Sequence, residues 1–165
     1  MRIRQKHILR VLRVLLLAGI AVTAAMFWNS TGGSKFTIPR GDESLYPRYP
    51  GGSTVVVEDL PDDAPLQRGT DVVYAMDKEG TTYARFGRIR GLPGDEVGAR
   101  DGRLTVNGEP VGPIPVPGEP MGTVPPGKVL ILAVNPAELR YPDSRVLGFI
   151  PRERLRAIIR YRIGG

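Results

Sequence analysis

Fifteen uncharged residues, Val14 to Trp28 (VLLLAGIAVTAAMFW), follow a basic N-terminus and leave this chain few ways to sit in water. A spanning helix needs about 17–25 apolar residues and a signal-peptide core about 7–15, so the run alone lies at the border between the two. Ile8, Leu9, Val11 and Leu12 extend its apolar character backwards, and Arg10 and Arg13 can snorkel to the headgroups with their stems in hydrocarbon. Trp28 stands where an interfacial aromatic belongs. Residues 8–28 therefore read as one transmembrane anchor behind a cytoplasmic tail of residues 1–7. The competing reading is a cleaved signal peptide, with Ala21, Thr23, Ala24 and Ala25 near the cut. Bulky Met26, Phe27 and Trp28 continue the apolar run and favour the anchor.

Charge supplies the orientation. The chain carries 23 basic and 17 acidic residues, a net charge of +6. Five of the basic ones (Arg2, Arg4, Lys6, Arg10, Arg13) precede the apolar run, which leaves 18 against 17 beyond it. The positive cluster is expected to stay cytoplasmic and the rest of the chain to be translocated. Nucleic acid is not an expected partner, because the folded part is nearly neutral and the N-terminal cluster is explained by membrane topology. The lipid bilayer is. The expected location is the cell membrane, with the main domain exoplasmic or periplasmic.

Residues 29–35 (NSTGGSK) read as a polar linker and residues 36–165 as one domain. Helical periodicity is almost absent there. Short β-branched runs appear instead, at Ser53–Glu58, Thr70–Met76, Thr81–Ile89, Arg103–Val106, Lys128–Val134 and Leu155–Ile163, separated by Gly, Pro, Asp and Asn. Asp77-Lys78-Glu79-Gly80 looks like a hairpin turn, and Gly102 and Asn107-Gly108 bracket another short strand. The class is mostly β, a small barrel or folded sheet. There are no cysteines, so disulfides, thiol nucleophiles and cysteine-based metal sites are excluded, and no metal or cofactor is expected.

Four segments carry chemistry. Ser44-Leu45-Tyr46-Pro47 comes first. Arg68-Gly69 leads into Asp71-Val72-Val73. Then follows Arg88-Ile89-Arg90-Gly91-Leu92-Pro93-Gly94-Asp95, with Val106-Asn107-Gly108 downstream, and last Asp143-Ser144-Arg145 with Gly148. In this order, behind an anchor with its N-terminus inside, they resemble the motifs of bacterial type I signal peptidases. The first is similar to that family's Ser-Met-x-Pro and the second to Arg-Gly-Asp-x-Val-x with one residue added. The third is similar to Lys-Arg-x-x-Gly-Leu-Pro-Gly-Asp and the fourth to Asp-Ser-Arg-x-x-Gly.

The resemblance implies a signal-peptidase-like fold and a serine endopeptidase that removes signal peptides from exported preproteins. Ser44 would be the nucleophile and a neutral lysine, its pKa pushed below about 10.4 by burial, the base. That lysine falls on Gly87. Arg85 and Arg88 cannot serve, since a guanidinium stays protonated. The four lysines are Lys6, Lys35, Lys78 and Lys128, and the sole histidine is His7. None is placed for the task, since Lys6 and His7 are cytoplasmic, Lys35 is in the linker, Lys78 is at a turn tip and Lys128 opens a later strand.

Two further departures accompany the missing lysine. A serine that supports it in the family is replaced by Tyr141, and Gly-Asp-Asn appears as Ala133-Val134-Asn135. Asp42 and Glu43 also place carboxylates beside an oxyanion that needs donors. Pro47, Arg88, Gly91, Pro93, Gly94, Asp95, Asn135, Asp143, Ser144 and Arg145 are expected to be motif or structural positions. Two readings stand side by side: a peptidase with an unrecognised base, or an inactive homologue that binds signal peptides or an active signal peptidase. A third assigns the C-terminal Arg152, Arg154, Arg156, Arg160 and Arg162 to anionic lipid.

Overall fold

The computed structural model describes residues 33–113, 121–138 and 140–164. The expected anchor, tail and most of the linker lie outside them. Among the described residues no helix is long and apolar enough to cross a membrane.

Strands dominate. In chain order they are β1 (Ser34–Thr37), β2 (Thr54–Asp59), β3 (Asp71–Lys78), β4 (Thr81–Gly91), β5 (Glu96–Arg100), β6 (Arg103–Val106), β7 (Glu109–Pro113), β8 (Gly122–Thr123), β9 (Lys128–Leu132), β10 (Ile150–Pro151) and β11 (Leu155–Ile163). A single-turn helix, α1 (Ser144–Leu147), precedes β10, and a 3-10 turn at Arg152–Arg154 leads into β11. Two sheets result, ordered β1-β2-β11-β3-β4-β9-β10 and β7-β6-β5-β8. The larger one ends at β1 and β10, so of the two expected forms the described residues take the folded sheet.

The apolar runs become strands because their alternate side chains meet a core on at least one face. Val72, Tyr74, Ile89, Ile131 and Leu155 are buried in one cluster, and Val55, Val57, Val73, Phe86 and Ile159 in another. A third cluster packs Val97, Leu104 and Val106 of the smaller sheet against Val124, Leu130 and Leu132. At about 25 cal/mol per Å² of apolar surface, such burial is the dominant stabilising term.

Three hairpins close on two-residue turns with both residues at positive φ: Glu79-Gly80 (52° and 76°), Asp101-Gly102 (49° and 74°) and Asn107-Gly108 (52° and 83°). That is the turn geometry whose twist matches the flanking strands. Lys78, expected at a turn tip, instead ends β3 opposite Thr81. Ser34 and Lys35, expected in the linker, form the start of β1 through backbone pairing with Val57 and Val56, which polar residues at a sheet edge do as readily as apolar ones.

Candidate functional site

Asp71 and Arg88 stand directly opposite each other on β3 and β4. The cross-strand position brings the guanidinium onto the carboxylate in a fork, Nε to Oδ1 at 2.7 Å and Nη2 to Oδ2 at 3.0 Å. Arg48, four residues beyond Ser44, reaches the same Oδ2 at 3.4 Å. This pair ties the segment carrying Ser44 to the central strands.

Leu92-Pro93-Gly94-Asp95 is a tight turn. The Asp95 amide donates to the Leu92 carbonyl at 3.0 Å, and Gly94 takes φ 89° after proline, as a type II turn requires. Gly91 leaves no room either, since a Cβ there would stand 3.0 Å from Leu130 Cβ. The Asp95 carboxylate is buried and accepts from Arg68 through Nε and Nη2, from the Leu92 amide (2.7 Å) and from Asn107 Nδ2 (2.9 Å). These donors, Arg68 first, hold its pKa down to about 2.

The Asp143-Ser144-Arg145 corner is equally saturated. Asp143 caps α1, accepting from the Arg145 amide at 2.9 Å and from Arg145 Nε at 3.0 Å, while its Oδ2 accepts from the Ala133 amide at 2.7 Å. Ser144 Oγ accepts from the Ile131 amide at 2.9 Å. Arg145 donates onward to the carbonyls of Pro136 (3.2 Å) and Glu138 (3.1 Å). The corner thereby fixes β9 and the loop after it.

That loop holds Ser44. The amides of Val134 and Asn135 donate to the Ser44 carbonyl at 2.6 and 3.2 Å. The Ser44 amide in turn donates to Asp42 Oδ1 at 3.0 Å. Ser44 and Asp42 are both buried, and the second Asp42 oxygen has no partner among the described residues. No hydrogen bond among the described residues uses the Ser44 hydroxyl, and Lys35, Lys78 and Lys128 are all exposed. Pro47, after a cis peptide bond, is exposed. A shallow cleft of about 370 Å³, lined by Glu43, Asn135, Ala137, Glu138 and Arg140, opens beside the segment.

Gly87 is buried on β4 opposite Val72. A Cβ built on it would stand 2.5 Å from Ile131 Cγ2 and 3.2 Å from the Leu132 carbonyl oxygen. The site of the expected lysine is thus occupied by core. Tyr74 offers no substitute base: its hydroxyl donates to the Pro142 carbonyl at 3.1 Å, and burial pushes its pKa far above the usual phenol range.

The family model described as "Signal peptidase, peptidase S26" matches residues 8–163. The chain belongs to that family. No curated protein matches it. Among solved structures it is similar to a signal peptidase I from Enterococcus faecalis V583, at 24% identity and a TM-score of 0.43, over 59% of this chain and 98% of that one. In this family member the motif residues Arg88, Asp95 and Asp143-Ser144-Arg145 form three separate tie points. The sequence singles out Arg68, Asp71 and Asp42 but not the groups they bind. Asp71 and Arg68 lie 17 and 27 residues from the groups they bind, a separation that no local pattern reports. Asp42, expected to repel an oxyanion, also takes the Ser44 amide, which is the i to i+2 bond short aspartates favour in turns.

Proposed function

We propose that this protein is a membrane-anchored member of the signal peptidase family that binds extended peptide without hydrolysing it. The observation that carries the reading is the packing of Ile131 over Gly87. A side chain of any length at this position meets a core methyl, so no lysine can descend from it. Two further observations support it. The Ser44 amide, a donor that an oxyanion would need, is committed to a carboxylate. None of the described lysines is buried: Lys35, Lys78 and Lys128 are all exposed.

A binding edge remains. β4 pairs with β3 from Thr81 to Arg88, but with β9 only from Arg88 onward, so Thr81 to Gly87 have a paired strand on one side alone. An extended peptide can add there as a further strand. On this reading residues 8–28 anchor the domain to the outer face of the cell membrane, and the peptide is the signal segment of an exported preprotein.

The test is incubation of the full-length protein in detergent with a preprotein bearing a signal peptide, beside Ser44→Ala and a signal peptidase of known activity. No cleavage by the wild type, with the control active, is expected. Specific cleavage that vanishes in Ser44→Ala would refute the reading and establish a base other than lysine at position 87.

A further inference from the structure

Arg85 is one of two arginines on β4, with Arg90, that the tie points leave out. Every one of the seven ion pairs among the described residues uses an arginine, and none uses Arg85. Its guanidinium is flanked by two tyrosine rings, Tyr141 at 4.8 Å and Tyr83 at 5.4 Å from centroid to carbon. Nη1 turns back along the strand to the Ala84 carbonyl at 3.1 Å. Nε is sealed from solvent and has no acceptor among the described residues.

A buried donor without an acceptor is costly, and a positive charge without a counter-charge adds to the cost. The aromatic faces offset part of it through cation–π attraction and hold the fork in one plane. A planar, oriented, unneutralised guanidinium is matched by a carboxylate, which takes two parallel N–H bonds. The location narrows the choice further. Arg85 lies on the stretch of β4 from Thr81 to Gly87 that lacks a neighbour on one side. On the reading above, the added peptide is the end of a signal segment, whose small, uncharged cleavage-site residues bring no acidic side chain to this level. A backbone presents a carboxylate only at its C-terminus.

We infer that Arg85, held between Tyr83 and Tyr141, is a receptor for the α-carboxylate of a peptide that ends on the free edge of β4. The ligand class is therefore a cleaved peptide, the product of an endopeptidase, in preference to an uncut chain. The inference rests on the peptide-binding reading above and deepens it.

The two ideas separate in one binding experiment. Full-length protein in detergent is titrated into a fluorescent signal-sequence peptide ending in alanine, once as the free acid and once as the C-terminal amide, and anisotropy is read. A charge-assisted fork favours the acid by about tenfold. Arg85→Gln should bring the acid down to the amide's affinity and leave the amide unchanged, and Arg85→Lys should keep part of the preference. Equal affinities for acid and amide in the wild type overturn the carboxylate receptor while peptide binding stands. A preference that survives Arg85→Gln overturns it too, as does a loss of acid and amide binding together in that variant. Absence of binding by either peptide sinks both readings.

Discussion

Two corners of this domain carry the family's motif residues, and they have met opposite fates. Around Asp143, Ser144 and Arg145, the capping carboxylate, the hydroxyl and the guanidinium are all engaged: both Asp143 oxygens, Ser144 Oγ and three nitrogens of Arg145 are bonded. Around Ser44 and Gly87 the inventory is thin, with one Asp42 oxygen unpartnered and a methyl group where a lysine stem would run. Both corners lie in buried surroundings, so the difference is not one of exposure. It lies in the task. The first corner stabilises the fold, and any loss there is felt in stability. The second meets the first through the backbone of residues 133–135, through Arg140, which donates to the Gly41 carbonyl, and through Ile131, whose amide is bonded to Ser144 Oγ.

The comparison breaks most sharply under Arg145→Ala. Removing one member of a buried, hydrogen-bonded pair leaves Asp143 uncompensated, at an expected cost of about 3–5 kcal/mol read by chemical unfolding of the full chain. A cost under about 1 kcal/mol would mean that the corner is not the tie point its bonding suggests. Gly87→Ala comes next. Its Cβ meets Ile131 Cγ2 at 2.5 Å, so overpacking should cost about 3 kcal/mol. Adding Ile131→Ala should recover part of that, and the double-mutant cycle should show coupling; strict additivity would mean the two do not touch.

The third prediction concerns pH. Asp95 falls from an ordinary 3.8 to about 2 in the folded protein, so its ionised form is bound more tightly folded than unfolded. Its contribution, about 2 kcal/mol, is present above the unfolded value and is lost as pH falls through about 4 towards 2. The stability gap between wild type and Asp95→Asn should be widest near neutral pH and close over that window. A gap that stays constant down to pH 2 would refute the coupling to Arg68. The smallest effects compare two serines. Ser144→Ala strips the acceptor from the buried Ile131 amide and should cost about 1–2 kcal/mol. Ser44→Ala should leave the unfolding midpoint unchanged, because what the fold uses at Ser44 is its backbone.

Much of this was legible beforehand, and the rest was hidden for definite reasons. The runs at 103–106 and 155–163 match β6 and β11, because β-branched residues between turn signals have few alternatives. The strands that escaped are short or carry charge, glycine or proline: β5 is EVGAR and β7 is EPVGP. Their prolines and charges are tolerated at the ends and edges of a small sheet, where a ladder bond can be spared. At the site, the position where the resemblance expects a lysine could be counted along the chain to Gly87. What fills the space could not, because Ile131 is 44 residues away and meets Gly87 only through the pairing of β4 with β9. The Arg85–Tyr141 stack has the same character, two residues brought together by tertiary packing alone.

The contact between Gly87 and Ile131 also sets the order in which this chain could change. Lysine cannot enter at position 87 by one substitution, since its first side-chain carbon already collides with a core methyl. Ile131 would have to shrink first, and that step alone opens a void in a cluster where it is completely buried. Any path to a lysine at this strand position therefore crosses a less stable protein, and the packing acts as a barrier on what the site can become.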